Sequence, residues 1–173
     1  MARYIDISLT KRGVTCVAEL LDDQAPRTCE AVWTALPLGE NAYHAKYARN
    51  EIYTLMDAFA PEEPGLENPT ITPIPGDIMY FTFAPWQLTP KSHGYTSSGT
   101  ETPPAGPLAP RIDLALFYER NNLLLNPDFG FVPGTVFATV VKGLDEIASA
   151  AQDLWSRGTE GESLRFERHD GGL

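Results

Sequence analysis

Five residues close together carry most of the chemistry open to this chain: His44, Lys46, Tyr47, Arg49 and Glu51. If 42–48 is a strand, His44 and Lys46 share a face, because residues i and i+2 point the same way. An imidazole, a cation and a carboxylate held together could bind a small polar or anionic ligand. Histidine titrates in the working pH range, so His44 could also exchange protons, with Glu51 as its acid or base partner on a small metabolite. The plainer alternative is a polar strand face around a satisfied histidine. Tyr118, Arg120 and Asn121 end an apolar run, where a loop can present a cation and an amide to a pocket. Their plainer alternative is a surface turn. Trp86 stands in a proline-rich loop and could act as an aromatic lid or simply cover an apolar seam. Glu62, Glu63 and Glu67 read as a solvated acidic loop.

Other chemistries lack their marks. His44, His93 and His169 have no metal-site spacing, so no metal is expected. No G-x-S-x-G elbow, phosphate-binding loop or dinucleotide fingerprint occurs, and no cofactor is expected. The 173 residues carry 13 Lys and Arg against 23 Asp and Glu, a net charge of −10. That balance disfavours nucleic acid, whose affinity needs clustered cations, and anionic membrane surfaces. No stretch approaches the ~18 apolar residues of a membrane span. The first residues lack an apolar signal core, which makes a cytoplasmic location the expectation. The expected partner is a small-molecule ligand or a peptide, with a homodimer left open. Cys16 and Cys29 form no disulfide framework and read as reduced, buried small hydrophobes.

The elements that position these residues follow from periodicity. Ile5, Ile7 and Leu9 alternate with polar residues, and so do Val14, Cys16, Ala18 and Leu20 beyond the Lys11–Gly13 turn, so the two strands form a hairpin. Pro26 opens a helix whose apolar face is Cys29, Val32, Trp33 and Leu36, ended by Pro37. The segment 41–56 reads as two short strands. Eleven of the 15 prolines lie in 61–110, so that stretch is mostly loop, broken by an apolar strand at 78–83. The part at 85–110 has no periodicity, and a loop that long is functional or disordered. Ile112–Tyr118 and Val136–Val141 read as buried strands. Leu144, Ile147, Ala148, Ala151, Leu154 and Trp155 mark a second helix, and 163–168 a last strand. Phe137 and Trp155 are expected in the core. Length suits one domain over 1–173. Strands outnumber helices, which predicts a mainly β fold: a closed antiparallel β-barrel with two capping helices.

Several short stretches carry a resemblance. Leu20-Leu21-Asp22-Asp23-Gln24-Ala25-Pro26-Arg27-Thr28, where a strand ends and the first helix opens, and Val136-Phe137-Ala138-Thr139-Val140-Val141-Lys142-Gly143-Leu144-Asp145 before the second helix resemble the corresponding cyclophilin segments. His44-Ala45-Lys46-Tyr47-Ala48-Arg49-Asn50-Glu51, Pro75-Gly76-Asp77-Ile78-Met79-Tyr80 and Leu114–Tyr118 resemble stretches of bacterial cyclophilin-like families of unknown function. The resemblance spans roughly 4–168. It implies a cyclophilin-like closed barrel, with a ligand in a cleft beside the barrel made by 43–51, 118–121 and the long loop. It also implies an alternative, peptidyl-prolyl isomerase activity. True cyclophilins use an Arg there, followed by Gln-Gly-Gly-Asp. Here Lys46 stands nearby, no such run follows, and an ammonium does not reproduce the guanidinium fork.

Overall fold

The computed structural model describes residues 2–88 and 110–171, so His93 and most of the proline-rich stretch 85–110 lie outside the described residues. Alternation builds the first hairpin as expected: β1 (Tyr4–Leu9) pairs antiparallel with β2 (Val14–Leu20), placing Ile7 opposite Cys16. Then follow α1 (Pro26–Ala35), β3 (Tyr43–His44), β4 (Glu51–Asp57), β5 (Pro69–Thr70), β6 (Asp77–Phe83) and β7 (Arg111–Phe117). After β8 (Leu125–Asn126) and β9 (Gly130–Phe131) come β10 (Gly134–Lys142), α2 (Leu144–Arg157) and β11 (Leu164–Arg168).

The main sheet is antiparallel and runs β11-β1-β2-β10-β6-β7-β4-β3, with β5 attached to β10. It curls strongly into a half-barrel that is open rather than closed, which corrects the expected closed barrel. The segment between α1 and β3 crosses the gap to β11 through isolated bridges only, Leu38 to Phe166 and Asn41 to Ser163. Part of the reason is local. Pro37 has no N–H to give, and the Glu40 N–H goes to the Thr54 hydroxyl at 2.9 Å instead of to a neighbouring strand. Gly39 sits at φ 113, and a Cβ there would collide with the Leu164 carbonyl.

The core has two layers, one on each face of the curled sheet. Ile5, Ile7, Leu9, Leu114, Leu116 and Phe137 fill the concave side with Cys29 and Val32 of α1 and Ile147, Ala151 and Leu154 of α2. On the other face, Tyr53, Leu55, Met79, Phe81, Phe83 and Phe117 lie under Ala45, Ala48 and Leu124. β7 is therefore buried on both faces. Both cysteines are buried free thiols, and burial pushes each up to about 12.

Two expectations change. Ala25 supplies no side-chain cap to α1, and Glu67 does so from a distant loop. Its Oε2 accepts the Thr28 N–H at 2.8 Å and the Thr28 hydroxyl at 2.9 Å. Burial opposes the Glu67 charge, but these bonds prevail and hold its carboxyl below the usual range. Glu63 accepts the Tyr80 and Thr82 hydroxyls at 3.0 and 2.8 Å, so of the acidic trio only Glu62 remains solvated. Trp155 also departs from its expected place: it is 59% exposed, because Leu154 beside it takes the inward position, whereas Phe137 is fully buried.

Phe137→Ala should therefore cost about 3–5 kcal/mol in urea denaturation, the usual range for a fully buried Phe. Trp155→Ala should stay within about 1 kcal/mol of the parent, as surface changes do. Equal losses would contradict this division of roles.

Candidate functional site

β3 ends at His44 because the chain turns back there. The Ala45 N–H donates to the Glu51 carbonyl at 2.9 Å, which closes the 45–50 loop. The Asn122 carboxamide oxygen accepts the Asn50 N–H at 3.0 Å, and the Asn50 side chain donates to the Arg120 carbonyl at 2.8 Å. Arg49 takes a left-handed backbone, φ 81, in the middle of the turn. The expected strand over 42–48 is thus only two residues long, and Lys46 stands on a loop.

Strand parity then divides the predicted residues. His44 lies opposite Ile52, whereas Glu51 lies opposite Phe117 on the next strand. Side chains alternate faces along β4, so His44 and Glu51 point to opposite sides. Each lines its own cavity, and Ala45, Lys46 and Tyr47 border both. The structure does not bring His44 and Glu51 together as an acid–base pair.

The first cavity, about 460 Å³, opens between His44, Tyr118 and the α2 residues Gln152 and Trp155, with Lys46 and Arg49 on its rim. His44 is buried, with Nδ1 2.9 Å from the Ala45 carbonyl and Nε2 2.6 Å from the Tyr118 hydroxyl. A carbonyl can only accept, so Nδ1 carries the proton and Tyr118 donates to Nε2. Gln152 donates to the Tyr118 oxygen at 3.5 Å. Burial lowers the His44 pKa, against the opposing pull of its bond to Ala45. Burial, then the charge of Glu119, pushes Tyr118 up to about 12. Both groups are uncharged at neutral pH. The Trp155 ring lies 4.8 Å from the imidazole, tilted by 45°.

The second cavity, about 90 Å³, lies on the other face of β4 and β7, walled by Tyr53, Phe81, Phe83, Leu124, Phe129 and Val132. Glu51 and Asp113 also line it, and they are only 6% and 5% exposed. Asp113 sits on β7 directly between Leu55 of β4 and Phe81 of β6. Its Oδ1 has no hydrogen-bond partner among the described residues. Burial raises the Glu51 pKa, and burial followed by the charge of Glu51 raises that of Asp113 well above the usual range.

The remaining candidates stand apart. Arg120 is exposed, with its Nε 3.7 Å from the Glu119 carboxylate. Asn121 is an exposed turn residue at φ 68, and neither residue lines either cavity, so this pair is a surface turn. Trp86 is 66% exposed and meets Phe129 edge-on at 5.9 Å, against the outside of the second cavity's wall. His169 pairs with Asp6 at 2.8 Å. Sequence reasoning missed Asp113, Gln152 and Trp155 as site residues. Asp113 had a signal: it is the single charge in the apolar run Ile112–Tyr118.

A family model described as a protein of unknown function (DUF3830) matches residues 7–166. An 84-residue stretch, 46% of the chain, is 39% identical to the mitochondrial sulfite oxidase of Drosophila melanogaster. The chain spans only 14% of the length of that curated relative. Among solved structures, McbB in complex with tryptophan superposes with a TM-score of 0.57 at 19% identity, over 98% of this chain and 46% of McbB. The hypothetical protein AF2241 from Archaeoglobus fulgidus gives a TM-score of 0.48 at 19% identity, over 97% of this chain and 95% of that one. The likeness to McbB is one of fold.

The buried acids predict an unusual pH dependence. Their folded-state pKa values lie above the ~4 of an unfolded carboxyl, so above about pH 4 the fold holds protons that the unfolded chain gives up. Their contribution to stability therefore falls as pH rises from there through the raised values. Asp113→Asn should match the parent near pH 4 and be more stable than it at pH 8 in urea denaturation. A variant less stable than the parent at pH 8 would show that the carboxylate is stabilised by the fold.

Proposed function

The chain belongs to the DUF3830 family of proteins of unknown function, and from that premise we propose that it binds a small anionic molecule with a flat apolar body in the His44–Trp155 cavity. The observation behind this reading is the lining itself. An exposed indole packs at a tilt against a neutral imidazole beside Lys46 and Arg49, and no carboxylate lines the cavity among the described residues. Such a wall offers a stacking surface, and the rim offers charge to an acid group. The left-handed backbone of Arg49 adds support. A non-glycine residue in that region costs of order 1–3 kcal/mol, and such strain gathers at ligand clamps. The His44–Tyr118–Gln152 chain fixes the ring positions before a ligand arrives, which reduces the ordering cost of binding.

The barrel is read as cyclophilin-like. The stretches that carry that resemblance start α1, form the 44–51 turn, start β6 and join β10 to α2. Arg49 is the guanidinium on the cavity rim, so the isomerase alternative rests on it; turnover of a proline peptide, lost in Arg49→Ala, would favour that alternative.

Thermal-shift and calorimetric titrations with benzoate and indole-3-carboxylate test the binding reading. A ligand at ~100 times its Kd stabilises by about 2.7 kcal/mol, which is about 5–10 °C in a chain of this size. Arg49→Ala and Trp155→Ala should each weaken benzoate at least tenfold. Equal binding of benzamide and benzoate, or unchanged binding in both variants, would sink the anion site.

A further inference from the structure

The anion cavity makes no use of Glu51 or Asp113. Burying two acids in an apolar cavity is costly, and a purely structural role would supply them with partners. Among the described residues neither has an ion-pair partner, and the Asp113 Oδ1 has no hydrogen-bond donor. The surroundings are aromatic. β4 contributes Tyr53, β6 contributes Phe81 and Phe83, and the 124–132 loop contributes Leu124, Asn126, Phe129 and Val132. The titratable groups facing the pair from the 45–48 segment are Lys46 and Tyr47, at the border with the first cavity. Arg111, two residues before Asp113 on β7, is engaged by Asp57 at 2.7 Å.

We propose that Glu51 and Asp113 form a second binding site, which takes the protonated amino end of a short alkylamine into the inner cavity. An ammonium has three donors and no acceptor, which suits a cavity lined by two carboxyls that can both accept. The aromatic walls add the attraction of a ring face for a cation in a desolvated setting. The cavity of about 90 Å³ equals roughly three water volumes, so a short group enters and bulkier ones do not. The balance is simple. The ammonium keeps its proton, each carboxyl that ionises releases one proton to solvent, and no covalent bond changes. Binding therefore strengthens with pH while a carboxyl still has to ionise, by about tenfold per unit for one proton.

Calorimetry with propylammonium, in two buffers of different ionisation heat, tests this. 1-Propanol and propionate serve as controls of similar size. Propylammonium should bind the parent with net proton release and tighten with pH, while the controls should not bind. Asp113→Asn should weaken it at least tenfold and reduce the proton release. Glu51→Gln carries the same test if circular dichroism shows that Asp113→Asn does not fold. No propylammonium binding, equal binding of 1-propanol, or unchanged binding in a folded variant would overturn the site. The benzoate response of the other cavity is read on the same samples, so failure of either site is seen separately.

Discussion

β7 has a hydrogen-bonded strand on each edge and a packed layer on each face, and the rest of the molecule is arranged around meeting those demands. Its concave side is satisfied by the helices and the β1–β2 hairpin. On its convex side, among the described residues, the 45–48 turn and the 124–132 segment with its short β8–β9 hairpin provide the cover. Loops fill space less regularly than helices do, and the cavity holding Glu51 and Asp113 lies under this roof. One glycine contributes to the arrangement. A Cβ at Gly134 would collide with the Phe81 ring, so the ring occupies the space that residue leaves, and Phe81 in turn lies directly opposite Asp113.

The two cavities are products of one turn. Because strand parity sends neighbouring residues to opposite faces, a chain reversing between β3 and β4 must present chemistry on both sides. His44 goes to the helix side and meets Tyr118 and α2. Glu51 goes to the other side and lines the same cavity as Asp113. Their environments push in the same direction, toward uncharged forms, but on groups of opposite type. An imidazole held neutral can accept, and an acid held neutral can donate, at a pH where exposed examples would do neither as readily. That is where stability is given up, and positions that break local rules at a cost to the fold are where function is expected.

Much of the fold was legible because its elements have one wet face or a clear period. The β1–β2 hairpin, α1 and α2 follow from alternation, Pro26 and helical spacing. What was not legible depended on partners far along the chain. Glu67 reads as a solvated acid until the start of α1 is placed beside it. Trp155 fits the apolar stripe of α2 by spacing, yet one position of rotation past Leu154 carries it to the surface beside His44. The grouping of His44, Lys46, Tyr47, Arg49 and Glu51 was visible as a cluster in sequence, but its division into two sites required the register of β3 on β4. Asp113 was visible as a lone charge in an apolar strand. Its place in one cavity with Glu51 was not, because that depends on the register of β4 on β7.

The position of β11 bears on how the chain reaches this state. Ile5 lies opposite Arg168, and the 38–42 segment bridges to the same strand. Until residues 164–168 arrive, β1 has one unpaired edge and Leu38 has no strand to bridge to. Contacts this distant in sequence are slow to form, since the intervening chain must first be closed into a loop. For that interval Ile5, Ile7 and Leu9 present an apolar strand with free backbone donors and acceptors, the kind of edge on which a second molecule can template. Crowding of unfinished chains is therefore the condition under which this fold is most exposed to aggregation.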